Sequence, residues 1–444
     1  MALLTKAPRG TQDVLPPDGF RIRQLENILA ETAEDFGFHE IRTPVFEHTE
    51  LFCRSVGETS DVVQKEMYTF EDNGKRSVTL RPEGTAGCAR AFLEHGLFNE
   101  PLPQKFFYHT SCYRYEKPQA GRYREFHQFG VECIGAPSPA ADAEIIALAN
   151  AVFNFFELDD ISLEINSIGC PSCRAKYHKA LKAYFENRKS ELCETCLSRL
   201  EKNPMRILDC KSPVCSEIAK GAPVVLDYLC DECAAHFKAV QKYLDGMEIE
   251  YKINPRIVRG LDYYTKTVFE FVCSSIGAQG TVCGGGRYDG LIEELGGASL
   301  PACGFGMGTE RLMLLLEAQG KKLPQEERIQ LYIAPAAPEY SVEAMRITNE
   351  LRSDGVSAVT DLQERSLKAQ LKYANKIKAM FTLVLGADEI ESRTAKVKDM
   401  DSGEVSQISL DTFSEDFMHI SINSALAQIE AGGADLTLLT GGKE

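Results

Sequence analysis

The first element that the hydrophobic pattern predicts is an amphipathic helix over residues 20–36. Apolar side chains recur there at spacings of three and four, as at Leu25, Ile28 and Leu29, and Gly37 can end the helix in the left-handed region. Residues 41–135 then alternate strand-like, helical and turn sequence. After a stretch of different composition, strand-like and glycine-rich sequence returns over 250–320. This order predicts a mixed α and β domain that is interrupted by an insertion.

The last part of the chain alternates strands with helices. The strand patterns IQLYIAPA, VSAVTDL and MFTLVLG are separated by helical patterns, one of which is SLKAQLKYANKIKA. Such alternation predicts a small parallel sheet with helices packed on it. A further strand pair is expected around the turn signal Asp401-Ser402-Gly403. The polar stretch near 318–328, which carries Gly and Pro, is the best candidate for a linker before this region.

Composition and charge narrow the class of protein. The 444 residues allow about two to four domains, and 44% apolar with 26% charged residues is typical of globular chains. No stretch approaches the roughly 18 apolar residues of a membrane helix, and the N-terminus lacks the apolar region of a signal peptide. We therefore expect a cytoplasmic protein. The net charge of −16 repels nucleic acid on average but permits a local basic patch, because salt confines attraction to about 10 Å.

Eight of the fifteen cysteines lie between residues 170 and 240. The motifs Cys170-x2-Cys173 and Cys193-x2-Cys196 are nineteen residues apart, which fits the spacing of a zinc ribbon. A structural zinc ion is one interpretation, and a set of reduced, partly buried thiols is the other. Both stay open, and no metal ligand is assigned from the spacing. The remaining cysteines of this region are Cys210, Cys215, Cys230 and Cys233.

Residues 106–135, FFYHTSCYRYEKPQAGRYREFHQFGVECIG, read as two strands that flank a turn. Because side chains alternate along a strand, Arg114 and Glu116 would share one face, and Arg124, Gln128 and Glu132 would share another. A hairpin would bring a guanidinium, an amide and a carboxylate together, and arginine suits bidentate contact with phosphate. The plainer alternative is an exposed hairpin with a solvated charged face.

Two further stretches carry candidate chemistry. In RGLDYYTKTVFEF, over 259–271, Arg259, Tyr263 and Tyr264 stand at the entrance of a strand, where tyrosine hydroxyls could orient a polar ligand. In CGFGMGTERL, over 303–312, alternating glycines would let a flat base lie close to the backbone, and Arg311 would point at that base or at phosphate. The alternatives are ordinary packing and a surface arginine.

A fourth stretch, LRPEGTAG over 80–87, predicts a turn into a helix with Glu83 at its mouth. A carboxylate there could bind an amino group. The commoner explanation is that a negative charge near a helix N-terminus is favoured by the helix dipole, by about 0.3–1 kcal/mol.

Taken together and in this order, these stretches resemble a class II aminoacyl-tRNA synthetase, specifically the histidyl-tRNA synthetase family. The likeness rests on RGTQDVLP, TLRPEGTA, YRYEKPQAGRYREFHQFG, RGLDYYTKTVFEF and GFGMGTERL. It implies an α+β catalytic domain built on an antiparallel sheet and a C-terminal α/β domain with a mostly parallel sheet. The expected segments are a catalytic domain at 1–169 and 246–320, a cysteine-rich helical insertion at 170–245, a linker at 321–328, an anticodon-binding domain at 329–425 and a tail at 426–444.

The resemblance also implies an activity. ATP would activate L-histidine to histidyl-adenylate with Mg²⁺ on the phosphates, and the histidyl group would then pass to tRNA(His); the segment around Pro44 implies a homodimer. The expected catalytic residues are Arg259 and Arg114. The expected histidine-binding residues are Glu83, Gly84, Thr85, Arg114, Gln128, Glu132, Arg259, Tyr263 and Tyr264. The expected ATP-binding residues are Arg114, Glu116, Arg122 and Arg311.

A basic stripe in the C-terminal region is the local support for tRNA binding. No acidic residue occurs from 365 to 387, and Lys368, Lys372 and Lys376 fall four residues apart, on one helix face. With Arg365 they would offer positive charge to tRNA phosphates. The alternative is a solvated lysine face.

Three other functions compete with this hypothesis. A regulatory subunit of ATP phosphoribosyltransferase shares the catalytic core without charging tRNA, but it is expected to lack the C-terminal domain and to have altered arginines. A class II enzyme for another amino acid is disfavoured by RGLDYY together with Glu132. A zinc-dependent RNA-binding protein without catalysis is the third possibility, and an activity measurement would exclude it.

Overall fold

The computed structural model describes residues 4–57, 60, 62–210, 212–259, 261–273 and 280–431, with the side chains of 425 and 427–431 left aside. The chain divides into two compact units, Met1–Pro324 and Gln325–Glu444. The division falls inside the stretch 321–328 that we expected to be a linker. No helix among the described residues is both long and apolar enough to cross a membrane.

The first unit is built on an antiparallel sheet, as the resemblance implied. Its strands are β1 (His39–Glu40), β2 (Phe46–His48), β3 (Tyr68–Glu71), β4 (Ser77–Leu80), β5 (Gln104–Tyr113), β6 (Glu125–Ile134), β7 (Ile161–Ser167), β8 (Lys252–Ile253), β9 (Thr265–Cys273), β10 (Thr281–Arg287) and β11 (Ala302–Gly308). Among the described residues, eight strands form the large sheet in the order β1-β5-β6-β11-β10-β9-β7-β8, and β2-β4-β3 form a small one. Within the described part of the large sheet, only the two short edge strands, β1 and β8, pair in parallel.

The helices of the unit follow in chain order. They are α1 (Asp18–Asp35), α2 (Thr49–Val56), α3 (Thr85–Glu94), α4 (Pro139–Phe155), α5 (Pro171–Glu186), α6 (Glu194–Lys202), α7 (Pro213–Ala219), α8 (Asp231–Gly246), α9 (Leu291–Glu294) and α10 (Thr309–Ala318). Helices α1, α4, α8 and α10 cover one face of the large sheet, whereas helices such as α3 and α5 pack in a second core with residues of the other face. The predicted helix at 20–36 is α1, which buries Leu25 and Leu29 and is followed by Gly37 with φ 75°. Those leucines and Ile145 of α4 pack in one core with Phe269 and Phe305 of the sheet.

The period of two along the strands leaves the opposite face of the sheet for polar groups. On β6, Phe129 and Val131 join the core, whereas Gln128 and Glu132 lie on the other side of the same strand. The same alternation places Glu270 of β9 opposite the core phenylalanines. The sheet therefore presents a row of polar side chains on the face that the helices of the core leave open.

A buried ion pair fixes the end of β10. Arg287 is 0% exposed and donates hydrogen bonds to the carboxylate of Asp142 on α4 and, at 2.9 Å, to the Ala136 carbonyl oxygen. Removing one partner of such a pair leaves a buried charge without compensation, which costs about 3–5 kcal/mol. This pair holds the next residue, Tyr288, in a fixed position behind the open face of the sheet.

The second unit is an α/β domain. Its strands are β12 (Leu331–Pro335), β13 (Ala358–Thr360), β14 (Phe381–Leu385), β15 (Thr394–Asp399) and β16 (Val405–Ser409), and its helices are α11 (Ser341–Ser353), α12 (Leu367–Lys376), α13 (Ala387–Ser392) and α14 (Phe413–Ala431). The three strands predicted from the alternation pair in parallel. The strands that flank 401–403 add two antiparallel pairs, so the sheet as a whole is mixed.

The last helix crosses the expected domain boundary at 425. Helix α14 runs to Ala431, and apolar residues of its first turns, such as Phe413 and Phe417, pack in the core of the unit. Residues 432–444 of the expected tail lie outside the described residues.

Candidate active site

A cleft of about 520 Å³ opens on the polar face of the large sheet. Residues of five adjacent strands, β6, β11, β10, β9 and β7, contribute to its lining, together with the segments before β9 and after β5. Most of the site residues expected from the sequence lie along it. The lining includes Glu83, Thr85, Arg114, Glu116, Arg122, Gln128, Arg259, Tyr263, Tyr264 and Arg311.

Arg259 lies in the middle of this lining and is held by charge and by packing. Its Nη1 atom donates a hydrogen bond to the Glu270 carboxylate, and its guanidinium lies 5.6 Å from the ring centre of Tyr264. Burial opposes the charge, but Glu270 outweighs it, so the pKa of Arg259 is raised. A side chain at Gly284 would have its Cβ 2.6 Å from Nη1 of Arg259, so the glycine provides the space for the guanidinium.

Arg114 and Arg311 approach the same cleft from other elements. Nε of Arg114 donates to the Pro82 carbonyl oxygen at 2.8 Å, and its guanidinium lies 5.3 Å from the ring centre of Phe126. Arg311 lies in the first turn of α10 and donates to the carbonyl oxygens of Gly121, at 3.2 Å, and Thr281, at 2.6 Å. Burial and the nearby positive charge of Arg122 lower the pKa of Arg311. The three guanidinium groups therefore face one cavity.

The hairpin was predicted correctly, but its strands are shorter than expected. Strand β5 ends at Tyr113, because the backbone N–H of Tyr115 donates to the Glu66 carbonyl oxygen, at 2.7 Å, instead of continuing the ladder. Arg114 and Glu116 therefore lie in the loop and do not share a strand face. Arg122 pairs with Glu116 at 2.8 Å. Arg124 stacks 3.8 Å from the ring centre of Tyr115 and is not part of the cleft lining.

Glu83 caps the helix that follows it. Its carboxylate accepts hydrogen bonds from the backbone N–H groups of Thr85, at 2.8 Å, and Ala86, at 2.9 Å, at the start of α3. Burial raises the pKa of Glu83, although these donors oppose the rise. Gly84 is absent from the cleft lining, and its lack of a side chain makes room for the ring of Tyr108.

Glu132 lies beneath the residues that line the cleft and is not itself part of the lining. It is 1% exposed and accepts hydrogen bonds from the hydroxyls of Thr85 at 2.7 Å, Tyr108 at 2.8 Å and Tyr288. Burial raises the pKa of Glu132 to about 8, against the opposing effect of these hydroxyls. Its neighbours Tyr263 and Tyr264 are buried as well, and their rings contact each other with centres 4.7 Å apart. Glu132 therefore forms the floor beneath Thr85 and the tyrosines.

The glycines of β11 make room for side chains of the neighbouring strand β6. A side chain at Gly304 would overlap the Glu132 carboxylate, and one at Gly306 would overlap the amide of Gln128. These glycines allow the polar side chains of the neighbouring strand to lie across the sheet. Gly306 and Gly308 also line the cleft, so the approach of a base to this backbone stays a prediction.

Four residues of the site were missed in the sequence. Glu270 partners Arg259, Tyr108 and Tyr288 contact Glu132, and Glu310 accepts hydrogen bonds from His127. A lone carboxylate within the apolar strand TVFEF was an available signal for Glu270. The tyrosines carried no such signal, because an aromatic residue within a strand, as Tyr108, or directly after one, as Tyr288, is ordinary core composition.

The cysteines of the insertion do not group as their spacing suggested. Cys170 and Cys173 lie with Cys230 and Cys233, and a second group combines Cys193, Cys196, Cys210 and Cys215. The two motifs nearest in sequence therefore belong to different groups. Tertiary contacts determine this grouping, because α5 and α8 approach each other at their first residues, whereas α6 begins beside α7.

In the second unit the three lysines of the stripe project from α12. Lys368, Lys372 and Lys376 are exposed, whereas Gln370 and Ala374 of the same helix are buried. None of the ion pairs found among the described residues involves these lysines. The remaining residue of the stripe, Arg365, is paired with Asp361 at 2.6 Å and stacks 4.2 Å from the ring centre of Tyr373.

An antiparallel sheet that carries an arginine-lined cleft, followed by an α/β domain, is the arrangement of a class II aminoacyl-tRNA synthetase. Residues 10–312 match the family model described as histidyl-tRNA synthetase, and residues 330–417 match the model of an anticodon binding domain. The chain belongs to the histidyl-tRNA synthetase family.

Individual relatives agree with this assignment. The chain is 54% identical over 409 residues to the histidine–tRNA ligase of Caldanaerobacter subterraneus. The aligned residues cover 92% of this chain and 98% of that protein. The apo structure of Staphylococcus aureus histidyl-tRNA synthetase matches with a TM-score of 0.80 and 41% identity, over 93% of this chain and 100% of that one. A structure from Bacillus halodurans, described as an ATP phosphoribosyltransferase regulatory subunit/histidyl-tRNA synthetase, shares the fold at 24% identity, with a TM-score of 0.63 over 87% of this chain and all of that one.

Proposed function

We propose that the chain is a histidine–tRNA ligase that makes histidyl-adenylate from L-histidine and ATP and then charges tRNA(His). The observation that carries the proposal is the convergence of Arg114, Arg259 and Arg311 on one cleft that also holds a tyrosine-lined, acidic recess. Family membership supports the same reaction.

In the first step a carboxylate oxygen of histidine attacks the α-phosphorus of ATP, and pyrophosphate leaves. Arg114 and Arg259 would hold the α-phosphate and offset the negative charge that develops on it. Arg311, with Glu116 and Arg122 at the hairpin loop, would contact the nucleotide. No protein nucleophile is required, so positioning and charge account for the catalysis.

Mg²⁺ fits the groups that surround the phosphate side of the cleft. The carboxylates of Glu116 and Glu310 line it, and Mg²⁺ favours a few carboxylate oxygens combined with substrate phosphates. When bound, the ion would neutralise charge on the departing pyrophosphate. The same carboxylates are at present paired with Arg122 and His127, which would shift as ATP binds.

Histidine would occupy the recess between α3 and the tyrosine segment, which is the segment before β9 that carries Tyr263 and Tyr264. Glu83 and Thr85 would hold its ammonium group beside Gly84, and Gln128, Glu132, Tyr263 and Tyr264 would surround the imidazole. Because Glu132 is bonded to three hydroxyls, we propose that it acts mainly by orienting Thr85 and the tyrosines. Buried polar groups of this kind reject an amino acid that leaves them unpaired.

In the second step a ribose hydroxyl of the terminal adenosine attacks the carbonyl carbon of the adenylate, and AMP leaves. The exposed lysines of α12 are proposed to contact tRNA phosphates, while Arg365 braces the loop before that helix. The segments proposed for these roles are a catalytic domain at 1–169 and 246–320 and an anticodon-binding domain at 329–425.

We further propose a cytoplasmic homodimer. The segment around Pro44 leads into the small sheet, where Val45, Phe46 and Phe70 are exposed. An exposed apolar set of this kind suits contact with a second copy of the chain. Light scattering of the purified protein should give twice the mass of the chain, 49.2 kDa.

Pyrophosphate exchange with each of the twenty amino acids tests the activity. We expect ATP formation with histidine alone. Exchange with another amino acid would overturn the assigned specificity. The absence of any exchange would favour a regulatory subunit or a non-catalytic RNA-binding protein.

A further inference from the structure

Eight cysteines of the insertion form two compact groups. The first tetrad is Cys170, Cys173, Cys230 and Cys233, and the second tetrad is Cys193, Cys196, Cys210 and Cys215. Within each tetrad the four Sγ atoms all lie within 4.8 Å of one another. Each tetrad combines two buried cysteines with two half-buried ones, so a solute can reach the thiols although they are part of the core.

The separations suit one tetrahedral ion at the centre of each tetrad. A Zn–S bond of about 2.3 Å places two thiolates of a tetrahedron about 3.8 Å apart. Sγ of Cys170 lies 3.5 Å from Sγ of Cys173, and Sγ of Cys193 lies 3.8 Å from Sγ of Cys210. A cluster of several irons holds its thiolates on different metal atoms and therefore farther apart. The geometry favours a single ion with four sulfur ligands.

The backbone around both tetrads favours ionised thiols. Cys170 precedes α5 and Cys230 precedes α8, each followed three residues later by a second ligand in the first turn of the helix. The N–H of Cys230 donates to Sγ of Cys173 at 3.1 Å. The N–H of Cys193, before α6, donates likewise to Sγ of Cys215 at 3.3 Å. Helix N-termini and N–H donors stabilise thiolates, which are the form that binds metal.

We propose that each tetrad binds one zinc ion and that both ions are structural. Four thiolates fill the tetrahedral shell, so no position remains for a reactive water. The first ion would join the two ends of the insertion, because Cys170 and Cys173 begin it and Cys230 and Cys233 open its last helix. The second would join α6 to the segment before α7.

The two ions would also support the histidine recess from behind; this part rests on the proposed function. Arg174, in the first turn of α5, donates to the Tyr264 carbonyl oxygen at 3.1 Å. Between the ligands of the second tetrad, Asn203 and Arg206 donate to the Asp262 carboxylate at 3.3 and 3.0 Å. Both tetrads therefore order side chains that hold the tyrosine segment. Loss of either ion would loosen histidine binding without removing a residue of the cleft.

Metal analysis of the full-length protein tests the zinc sites. Elemental analysis should find two zinc ions per wild-type chain and one each in Cys170→Ser/Cys173→Ser and in Cys193→Ser/Cys196→Ser. The control Cys53→Ser, which changes a cysteine outside both tetrads, should keep two. Iron in place of zinc, fewer than two zinc ions in the wild type, or equal zinc in all variants would overturn the proposal.

A second measurement avoids dependence on the folding of the variants. A mercurial reagent that captures thiols should release two zinc ions from the wild-type protein, detected with a chromogenic chelator. Protein loaded with Co²⁺ should show the intense sulfur-to-metal absorption of tetrathiolate sites. No release, or a cobalt spectrum without thiolate bands, would contradict the assignment, as would cysteines found as disulfides by mass.

The coupling to the recess has a separate readout. Cys170→Ser/Cys173→Ser should raise the KM for histidine in pyrophosphate exchange by about tenfold, with kcat changed much less, because outer-shell support is lost while the cleft is intact. If this variant loses one zinc ion as expected but keeps an unchanged KM for histidine, the coupling to the recess is wrong and the zinc sites still stand. A wild type without exchange activity would overturn the proposed function, while the metal content still decides the zinc sites.

Discussion

The guanidinium of Arg259 is bonded to the carboxylate of Glu270, in the space that the absent side chain of Gly284 leaves on the neighbouring strand. A paired arginine keeps its charge in a buried cleft, and a fixed charge does not have to reorganise as the transition state forms. This relationship connects the segment before β9 with β9 and β10. It also gives the first two predictions.

Changing Arg259 to His should nearly abolish adenylate formation. We expect pyrophosphate exchange to fall about 10²- to 10³-fold, because a fixed cation at the α-phosphate is lost. Thermal unfolding should be changed little, since Glu270 also accepts a hydrogen bond from Thr281 at 2.9 Å. Arg346→His, which changes a surface arginine that is also paired with carboxylates, is the control. Activity close to that of the wild type would remove Arg259 from its assigned role.

Gly284→Ala and Gly285→Ala should have different effects. The three atoms nearest to the new Cβ at 284 all belong to the flexible end of Arg259, so the variant should fold normally and lose activity about tenfold or more. The Cβ at 285 meets the backbone of Gly304 and Phe305, so that variant should lose about 1–3 kcal/mol of stability. Exchange assays and thermal unfolding of both proteins distinguish the two. Equal loss of stability would show that Gly284 serves packing alone.

The buried carboxyl of Glu132 predicts a pH dependence of stability. Its pKa is raised to about 8, so the folded protein holds a proton there that the unfolded chain, with an ordinary carboxyl, has lost. This contribution is complete below the unfolded pKa and is lost as pH rises through about 8. Between pH 7 and 9 the loss is about 1 kcal/mol. Denaturant unfolding at both pH values should show a smaller loss in Glu132→Gln than in the wild type; identical losses would refute the assignment.

The lysine stripe predicts a selective defect. Replacing Lys368, Lys372 and Lys376 by glutamine should weaken tRNA binding and flatten its salt dependence by about one counterion for each lysine that contacts a phosphate. Pyrophosphate exchange without tRNA should be unchanged. The control Lys396→Gln/Lys398→Gln removes exposed lysines from β15 of the same unit. An unchanged tRNA affinity in the triple variant would exclude the stripe as a contact.

The sequence predicted the parts of the fold that local periodicity determines. The helix at 20–36, the antiparallel pair around 114–124 and the parallel strands of the second unit follow from periods of 3.6 and 2 and from turn residues. The same period placed Gln128 and Glu132 on one face. The antiparallel strands of the second sheet could be predicted only from a weaker signal, the turn sequence Asp401-Ser402-Gly403.

Contacts between distant segments were beyond such reasoning. The early end of β5 depends on Glu66, the burial of Glu132 depends on Tyr288, and the grouping of the cysteines depends on which helices meet. None of these partners is close in sequence, and a motif spacing records only its own segment. The contacts of Gly304 and Gly306 could not be predicted for the same reason, because the side chains that need the space belong to β6.

Binding of a stable histidyl-adenylate analogue, an adenosine 5′-sulfamate whose nitrogen carries the histidyl group, tests the central claim most directly. Calorimetric titration of the wild type and of Arg114→Gln, Arg259→Gln and Arg311→Gln should show weaker binding, by about tenfold or more, in each variant, because every guanidinium faces the same ligand. Unchanged affinity in any of the three variants would mean that its guanidinium does not contact the adenylate. That result would contradict the claim that the three arginines share one ligand cavity.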